Sequence, residues 1–151
     1  MKEYFLIGKK LPHSYSAKIH CERGFDYSLK ELDEERLGEF LLEKNYAGLN
    51  VTMPYKSAVI KYLDETDSLA KKIGAVNTIV NRDGKLAGYN TDIFGLDFAL
   101  KKAGVDLKDK TVAILGSGGA GKTAKTLAEE NGAKKIYVVS RKGEINYENC
   151  Y

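Results

Sequence analysis

The sequence has no tryptophan, and only two histidines and two cysteines among its 151 residues. His13 and His20 stand outside any Cys/His cluster of the kind that holds zinc, and Cys21 and Cys150 fit no metal-ligand spacing. No metal site is expected. Two such distant cysteines make no disulfide framework, so both are expected as free thiols in a reducing, cytoplasmic setting. Long apolar runs are also missing. Residues 1–8 hold a short apolar stretch that reads as a first strand rather than an export signal. Nothing approaches the roughly 20 apolar residues of a membrane span. Charge of one sign is scarce too: 24 basic residues are scattered among 21 acidic ones, for a net +3. With no basic stripe interleaved with aromatics, a nucleic-acid surface is not expected. Lys9-Lys10, Lys71-Lys72 and Lys101-Lys102 read as solvated surface. What remains is a balance of 43% hydrophobic and 30% charged residues, typical of a soluble globular chain of one domain or two small ones.

Periodicity organises the chain. Tyr4 to Gly8 reads as a buried strand, Lys10 to Ser16 as a loop broken by Pro12, and Phe25 to Leu29 as a second strand. Asp33 to Lys44 carries Leu37, Phe40 and Leu41 at helical spacing behind an Asp33 N-cap. Gly48 to Val51 is a short strand leading into Thr52-Met53-Pro54, with a helix expected from Tyr55 and another from Thr66 to Lys72. Ala75 to Val80 and Lys85 to Tyr89 flank Asp83-Gly84, a strong hairpin signal. Thr91 should cap a helix with Ile93, Leu96 and Leu100 on one face. The polar stretch Lys101 to Lys110 marks the expected domain boundary. Beyond it come a buried parallel strand (Thr111 to Leu115), a helix with Ala120, Ala124, Leu127 and Ala128 inward, a stop at Gly132 and a strand from Lys135 to Ser140. The fold expected is α/β: a mixed-sheet domain over residues 1–103, then an incomplete Rossmann β-α-β domain over 104–151. There is no internal repeat and no low-complexity tract.

Three short segments concentrate chemistry: Gly48 to Lys56, Gly74 to Thr78 and Gly88 to Asp92. Taken singly, each polar residue has an ordinary explanation. Lys56 could be a surface lysine, Asp92 a first-turn helix acid, Asn77 a satisfied core amide, and Ser14 and Ser16 loop hydroxyls. Taken together they are a set of hydrogen-bonding groups at strand ends and loops, as a polar small-molecule pocket needs. Lys56 also falls near an expected helix start, where the positive end of the dipole disfavours a cation and suits the lysine to proton transfer.

Residues 116–121, Gly-Ser-Gly-Gly-Ala-Gly, fit G-x-G-x-x-G between a strand and a helix, the arrangement that brings backbone N–H groups to a pyrophosphate. Continued through Lys122 and Thr123, the same residues fit a P-loop, with Lys122 on a phosphate and Thr123 on magnesium. The second strand ends in Val138-Val139-Ser140, which offers no acidic partner for magnesium and no acid for the ribose of NAD. Ser140-Arg141-Lys142 suits the 2′-phosphate of NADP, which arginine can grip bidentately. A glycine turn with no ligand is the remaining alternative.

With His13-Ser14-Tyr15-Ser16, Asn50 to Lys56, Gly74 to Thr78, Gly88 to Asp92 and the glycine loop in view, the chain resembles the shikimate dehydrogenases from about Tyr4 to Lys142. The resemblance implies NADP-linked interconversion of shikimate and 3-dehydroshikimate in aromatic amino-acid (chorismate) biosynthesis. It implies that Ser14 and Ser16 bind the carboxylate, that Thr52, Asn77 and Asp92 hold ring hydroxyls, and that Lys56, paired with Asp92, is the acid/base. Gly116, Ser117, Gly118, Gly119 and Ala120 would cradle the pyrophosphate, and Ser140, Arg141 and Lys142 the 2′-phosphate.

Several positions depart from the family pattern. Ala17 replaces the usual proline after the second serine, Cys21 the usual asparagine after the histidine, and Ser140-Arg141-Lys142 the commoner Asn-Arg-Thr. Family chains also run on into the other half of the nucleotide domain, including a late glutamine near the substrate. The expectation is therefore a shortened chain that binds shikimate weakly, has little or no turnover alone, and can self-associate through the open edge of its Rossmann sheet. The rival readings are a quinate/shikimate dehydrogenase using NAD, a P-loop phosphotransferase, and a non-catalytic binding fragment.

Overall fold

The computed structural model describes residues 3–12, 14–141, 143–146 and 148–149. Two compact units divide the chain: Met1–Lys71 with Ala75–Asn90, and Lys72–Gly74 with Thr91–Tyr151.

The first unit is built on a six-stranded mixed sheet in the order β2-β1-β3-β5-β6-β4. Its strands are β1 (Tyr4–Gly8), β2 (Tyr27–Glu31), β3 (Gly48–Val51), β4 (Glu65–Thr66), β5 (Thr78–Arg82) and β6 (Lys85–Tyr89). β1 pairs in parallel with both β2 and β3, and β5 runs antiparallel to β3 and β6. Residues paired in register share a face, and the face alternates along each strand. Phe5, Ile7, Leu49, Val51, Ile79 and Leu86 therefore point to one side, where they pack with Leu37, Phe40 and Leu41 of helix α2 (Glu34–Glu43) in the main core. Tyr4, Leu6, Tyr27, Asn50 and Thr78 line the other side, which among the described residues holds a small apolar cluster of Leu6, Leu11 and Tyr27. The sheet thus has a packing face and a polar face.

Capping and turn chemistry complete this unit. Asp83 (φ 52°) and Gly84 (φ 85°) both take left-handed backbone, as the Asp-Gly hairpin requires. Asn81 locks the turn: its Oδ1 accepts from Gly84 N (2.9 Å), while its Nδ2 donates to Lys44 O (2.9 Å) and Tyr46 O (2.8 Å). Asp33 occupies the N-cap of α2 with extended backbone, and two acids follow it in the first turn.

Other expectations shift. The second strand begins at Tyr27 rather than Phe25, whose ring packs edge-on against Tyr4 instead. The helix expected from Tyr55 is a short 3-10 helix, Ala58–Tyr62, after a run of turns. Adjacent β-branched Val59 and Ile60 weaken an α-helix there. Short helices α1 (Ser16–Cys21) and α3 (Ser68–Ile73) complete the inventory, the last residues of α3 belonging to the second unit.

The second unit contains α4 (Asp92–Lys102), β7 (Thr111–Leu115), α5 (Gly119–Glu130) and β8 (Lys135–Val139). β7 and β8 form a parallel pair joined through α5, one β-α-β unit. The sequence puts the boundary after residue 103, whereas the compact units part before α4, which packs on α5. Ile93 is buried on α4, with Leu96 and Leu100 half-buried along the same face. The expectation of a buried β7 is not met. Of its side chains only Ile114 is buried, and Leu115 is 73% exposed. Among the described residues this sheet has two strands, so most of its surface lacks a cover. α5 turns inward Thr123, Thr126, Leu127 and Ala128, while Ala120 is exposed in the first turn. Gly132 (φ 72°) follows the C-cap of α5, as expected of a helix stop.

Candidate functional site

The polar face of the first sheet opens into a cavity of about 400 Å³ lined by Leu6, Lys10, Leu11, Pro12, Ser14, Ser16 and Thr52. Three of the sequence candidates, Ser14, Ser16 and Thr52, thus meet at one concavity. Ser14 Oγ accepts from Ser16 N at 3.2 Å, which sets the two hydroxyls side by side at the start of α1. Thr52 is placed by its N–H, which donates to Ile7 O at 2.9 Å as β3 leaves the sheet. Gly8 permits this closeness. A Cβ there would fall 2.7 Å from Thr52 Cγ2 and 2.8 Å from Leu11 Cδ2. At the rim, Glu31 accepts from Leu11 N (2.7 Å) and Lys10 Nζ (3.1 Å). The Leu11 N–H and then the Lys10 ammonium hold its carboxyl below the usual range.

Backbone hydrogen bonds weave the three polar segments together. Val76 N donates to Lys56 O (2.7 Å), Asn77 N to Tyr89 O (3.0 Å), and Asn77 O accepts from Val51 N (2.8 Å). Asn90 Nδ2 donates to Ala75 O at 3.0 Å. Lys56, half-buried, and Asn77, 8% exposed, are thereby brought next to β3 and the turn behind it. Lys56 lies in that turn rather than at an α-helix, so the dipole argument for its reactivity loses its basis. Asp92 opens α4, in the second unit.

The reading of the sequence missed Tyr27 and Asn50. Tyr27 Oη donates to Asn50 Oδ1 at 2.8 Å across the intervening strand β1. Burial pushes the Tyr27 hydroxyl up to about 12, partly offset by a hydrogen bond from Ser16. The signal available was alternation. In Leu49-Asn50-Val51-Thr52 the apolar residues mark one face, and Asn50 and Thr52 fall on the other.

In the second unit the glycine loop lies between β7 and the N-terminus of α5. Gly116 has φ 115°, and a Cβ on Gly121 would run into the Gly116 carbonyl oxygen. This is the close helix–strand approach that the third glycine of a dinucleotide loop serves. Above Gly118 a Cβ would meet nothing within 4 Å, which leaves room for a pyrophosphate. Ser117, Gly118 and Ala120 are exposed and Gly119 is half-buried. Ser140 and Arg141 follow β8, Ser140 nearly buried and Arg141 exposed; Lys142 lies outside the described residues. Thr123 is 1% exposed, and its hydroxyl donates to Gly119 O at 3.0 Å. Lys122 Nζ reaches Gly74 O at 3.3 Å. Among the described residues no group of His, Cys, Asp and Glu could hold a metal ion, and no helix is long and apolar enough to cross a membrane.

Comparison with known proteins bears on both units. Residues 6–79 match the family model of the shikimate dehydrogenase substrate binding domain. A shikimate dehydrogenase (NADP(+)) of Clostridium beijerinckii is 46% identical over 152 residues, spanning 94% of this chain and 56% of its own length. Shikimate dehydrogenase 1 from Peptoclostridium difficile superposes with a TM-score of 0.89 at 42% identity, over 98% of this chain and 61% of that structure. The Thermus thermophilus enzyme, solved in complex with NADP(H) and shikimate, superposes with a TM-score of 0.83 at 33% identity, over 94% of this chain and 57% of its own. The chain spans about half the length of the curated relatives it matches.

Proposed function

Because the chain belongs to the shikimate dehydrogenase family, we propose that it serves the NADP-linked interconversion of 3-dehydroshikimate and shikimate, with the shikimate site on the polar face of its first unit. The observation that carries this reading is the meeting of Ser14, Ser16 and Thr52 at one cavity, with Asn77 tied by a backbone bond to the strand that ends there and Lys56 tied to Val76 beside it.

Each residue then has a task. The Ser14 and Ser16 hydroxyls donate to the substrate carboxylate, and Thr52, Asn77 and Asp92 hold the ring hydroxyls. Bound NADPH supplies the hydride that reduces the C3 ketone. The Lys56 ammonium stabilises negative charge on that oxygen and gives it a proton, with Asp92 as the other member of the acid/base pair. In the reverse direction Lys56 takes the proton from the C3 hydroxyl. Gly116, Ser117, Gly118, Gly119 and Ala120 cradle the cofactor pyrophosphate at the α5 N-terminus. Ser140, Arg141 and Lys142 meet the 2′-phosphate.

The P-loop alternative needs a Thr123 hydroxyl turned to magnesium. That hydroxyl is buried and committed to Gly119 O, which speaks against it. Quinate carries one more hydroxyl at the carboxylate-bearing carbon, so the serine loop is where it would be accepted or refused.

Calorimetric titration of shikimate and quinate into the chain tests the site, with Ser14→Ala/Ser16→Ala as the comparison. Shikimate should bind, and the double variant should lose about tenfold or more in affinity, as expected when two hydrogen bonds to a charged group go. An unaltered affinity in that variant would remove the carboxylate assignment. Lys56→Ala should lower NADP reduction by shikimate by about 10²- to 10⁴-fold, the usual worth of a positioned acid/base. Equal rates for both forms would exclude Lys56 from proton transfer.

A further inference from the structure

Beneath the proposed site runs a directed chain of side-chain hydrogen bonds, all within the first unit. The Ser16 hydroxyl is hydrogen-bonded to the Tyr27 hydroxyl and is the donor of that bond, because the single Tyr27 proton goes to Asn50 Oδ1. Tyr27 Oη donates to Asn50 Oδ1 at 2.8 Å, and Asn50 Nδ2 points to Thr78 Oγ1 at 3.5 Å. Thr78 Oγ1 donates in turn to Asn77 Oδ1 at 3.0 Å. Every donor points the same way, from Ser16 to Asn77, and those two ends are the residues assigned above to the carboxylate and to a ring hydroxyl. The register explains the path. Tyr27, Asn50 and Thr78 share the polar face on strands β2, β3 and β5.

A side-chain amide can sit in a site either way round, and the two ways present opposite polarity to a ligand. With Oδ1 accepting from Thr78, the Asn77 amide has its acceptor end on Thr78, so its other end is the N–H₂. Asn50 is fixed likewise, Oδ1 to Tyr27 and Nδ2 to Thr78. Reversing either amide would set donor against donor and acceptor against acceptor. Asn77 is 8% exposed and Tyr27 7%, with Asn50 and Thr78 half-buried between them, so such a mismatch would carry a desolvation cost.

We propose that Tyr27 is a positioning residue for shikimate binding: through Asn50 and Thr78 it fixes which end of the Asn77 amide faces the ligand, and through Ser16 it orients the hydroxyl that meets the carboxylate. This role rests on the shikimate reading above. When the carboxylate arrives, the single Ser16 proton turns from Tyr27 to the ligand, while Tyr27 goes on donating to Asn50. The chain of bonds is thus kept from the phenol onward in both states.

The test is NMR on the ¹⁵N-labelled full chain, following the side-chain amide signals of Asn50 and Asn77 with and without shikimate. Tyr27→Phe removes the hydroxyl and keeps the ring. Thr78→Val breaks the chain one step later, and Thr78→Ser restores it. Tyr46→Phe is the control, because its hydroxyl donates to Leu41 O in the main core, outside this chain of bonds. Tyr27→Phe and Thr78→Val should each move the Asn77 amide signals before any ligand is added and weaken shikimate by about five- to tenfold, the worth of one buried hydrogen bond. Thr78→Ser should recover most of that loss, and Tyr46→Phe should change neither readout. Asn77 signals unmoved in ligand-free Tyr27→Phe, or an affinity loss no greater than that of Tyr46→Phe, would overturn the proposal. Failure of the unaltered chain to bind shikimate at all would overturn the shikimate reading and this role with it. The first two outcomes leave the shikimate reading standing.

Discussion

At the scale of single residues, Gly8 has little freedom to change. Its missing Cβ is what lets Thr52 and Leu11 close around the cavity, and the Met53 carbonyl oxygen would lie 3.2 Å from that Cβ. Gly8→Ala should destabilise the first unit by about 1–3 kcal/mol, the range for overpacking, and weaken shikimate binding as Thr52 is pushed aside. Denaturant melts paired with ligand titration would show both effects, and a variant with native stability and affinity would contradict the close approach. The acid response is also a residue matter. Glu31 is held low by the Leu11 N–H, and Asp64 by the Leu86 N–H and then by Lys44. A lowered folded value means stability that is present above the unfolded carboxylate range, near pH 4, and lost as pH falls through the folded values. The midpoint of urea unfolding should therefore fall below about pH 4 in the unaltered protein. It should fall less steeply in Glu31→Gln/Asp64→Asn, which starts from a lower stability at neutral pH.

Among elements, α2 and the β5–β6 hairpin were legible in the sequence because local signals and packing agree. Leu37, Phe40 and Leu41 repeat at helical spacing, and the structure buries all three. Leu41 is fully buried, so Leu41→Ala should cost about 2–5 kcal/mol by the measure of other core truncations, read from thermal or urea unfolding. The 3-10 helix at Ala58–Tyr62 was not legible. Tyr55, just before it, is buried and hydrogen-bonded to Leu32 O, a partner distant in sequence that no local pattern announces. The inner face of α5 was misread at Ala120 for a similar reason. Alanine carries little patterning information, and the tight Gly116–Gly121 approach fixes the rotation of the first turn. Of the site, the loop residues Ser14, Ser16 and Thr52 stood out as motif members. Tyr27 escaped notice because an aromatic at the head of a strand reads as core until its hydroxyl partner is known.

For the molecule as a whole, the two units differ in how much apolar surface they enclose. Among the described residues, the first has a main core of fifteen buried side chains. In the second, the buried apolar side chains among the described residues are Ile93, Ile114, Leu127, Ala128 and Val139, with Ile73 at the end of α3. Local stability follows buried apolar contact. Backbone amides of β1, β3 and β5 should exchange with deuterium more slowly than those of β7 and β8, by orders of magnitude under native conditions. Equal protection would mean that the second unit is held by more than its own core. The sequence placed the division after α4 because the charge-rich stretch there looks like a linker. Whether α4 belongs before or after that division depends on its packing against α5, which no local pattern announces.

The two-faced sheet has a consequence for how tolerance to mutation is distributed. Along Leu49-Asn50-Val51-Thr52, consecutive side chains answer to different demands, one set to the main core and the other to the cavity side. Saturation mutagenesis scored separately for cellular abundance and for ligand capture should therefore stripe with a period of two. Odd positions would fail in abundance and even positions would fail in capture at near-normal abundance. Selection could then retune what the even positions recognise while the odd ones go on supporting the fold.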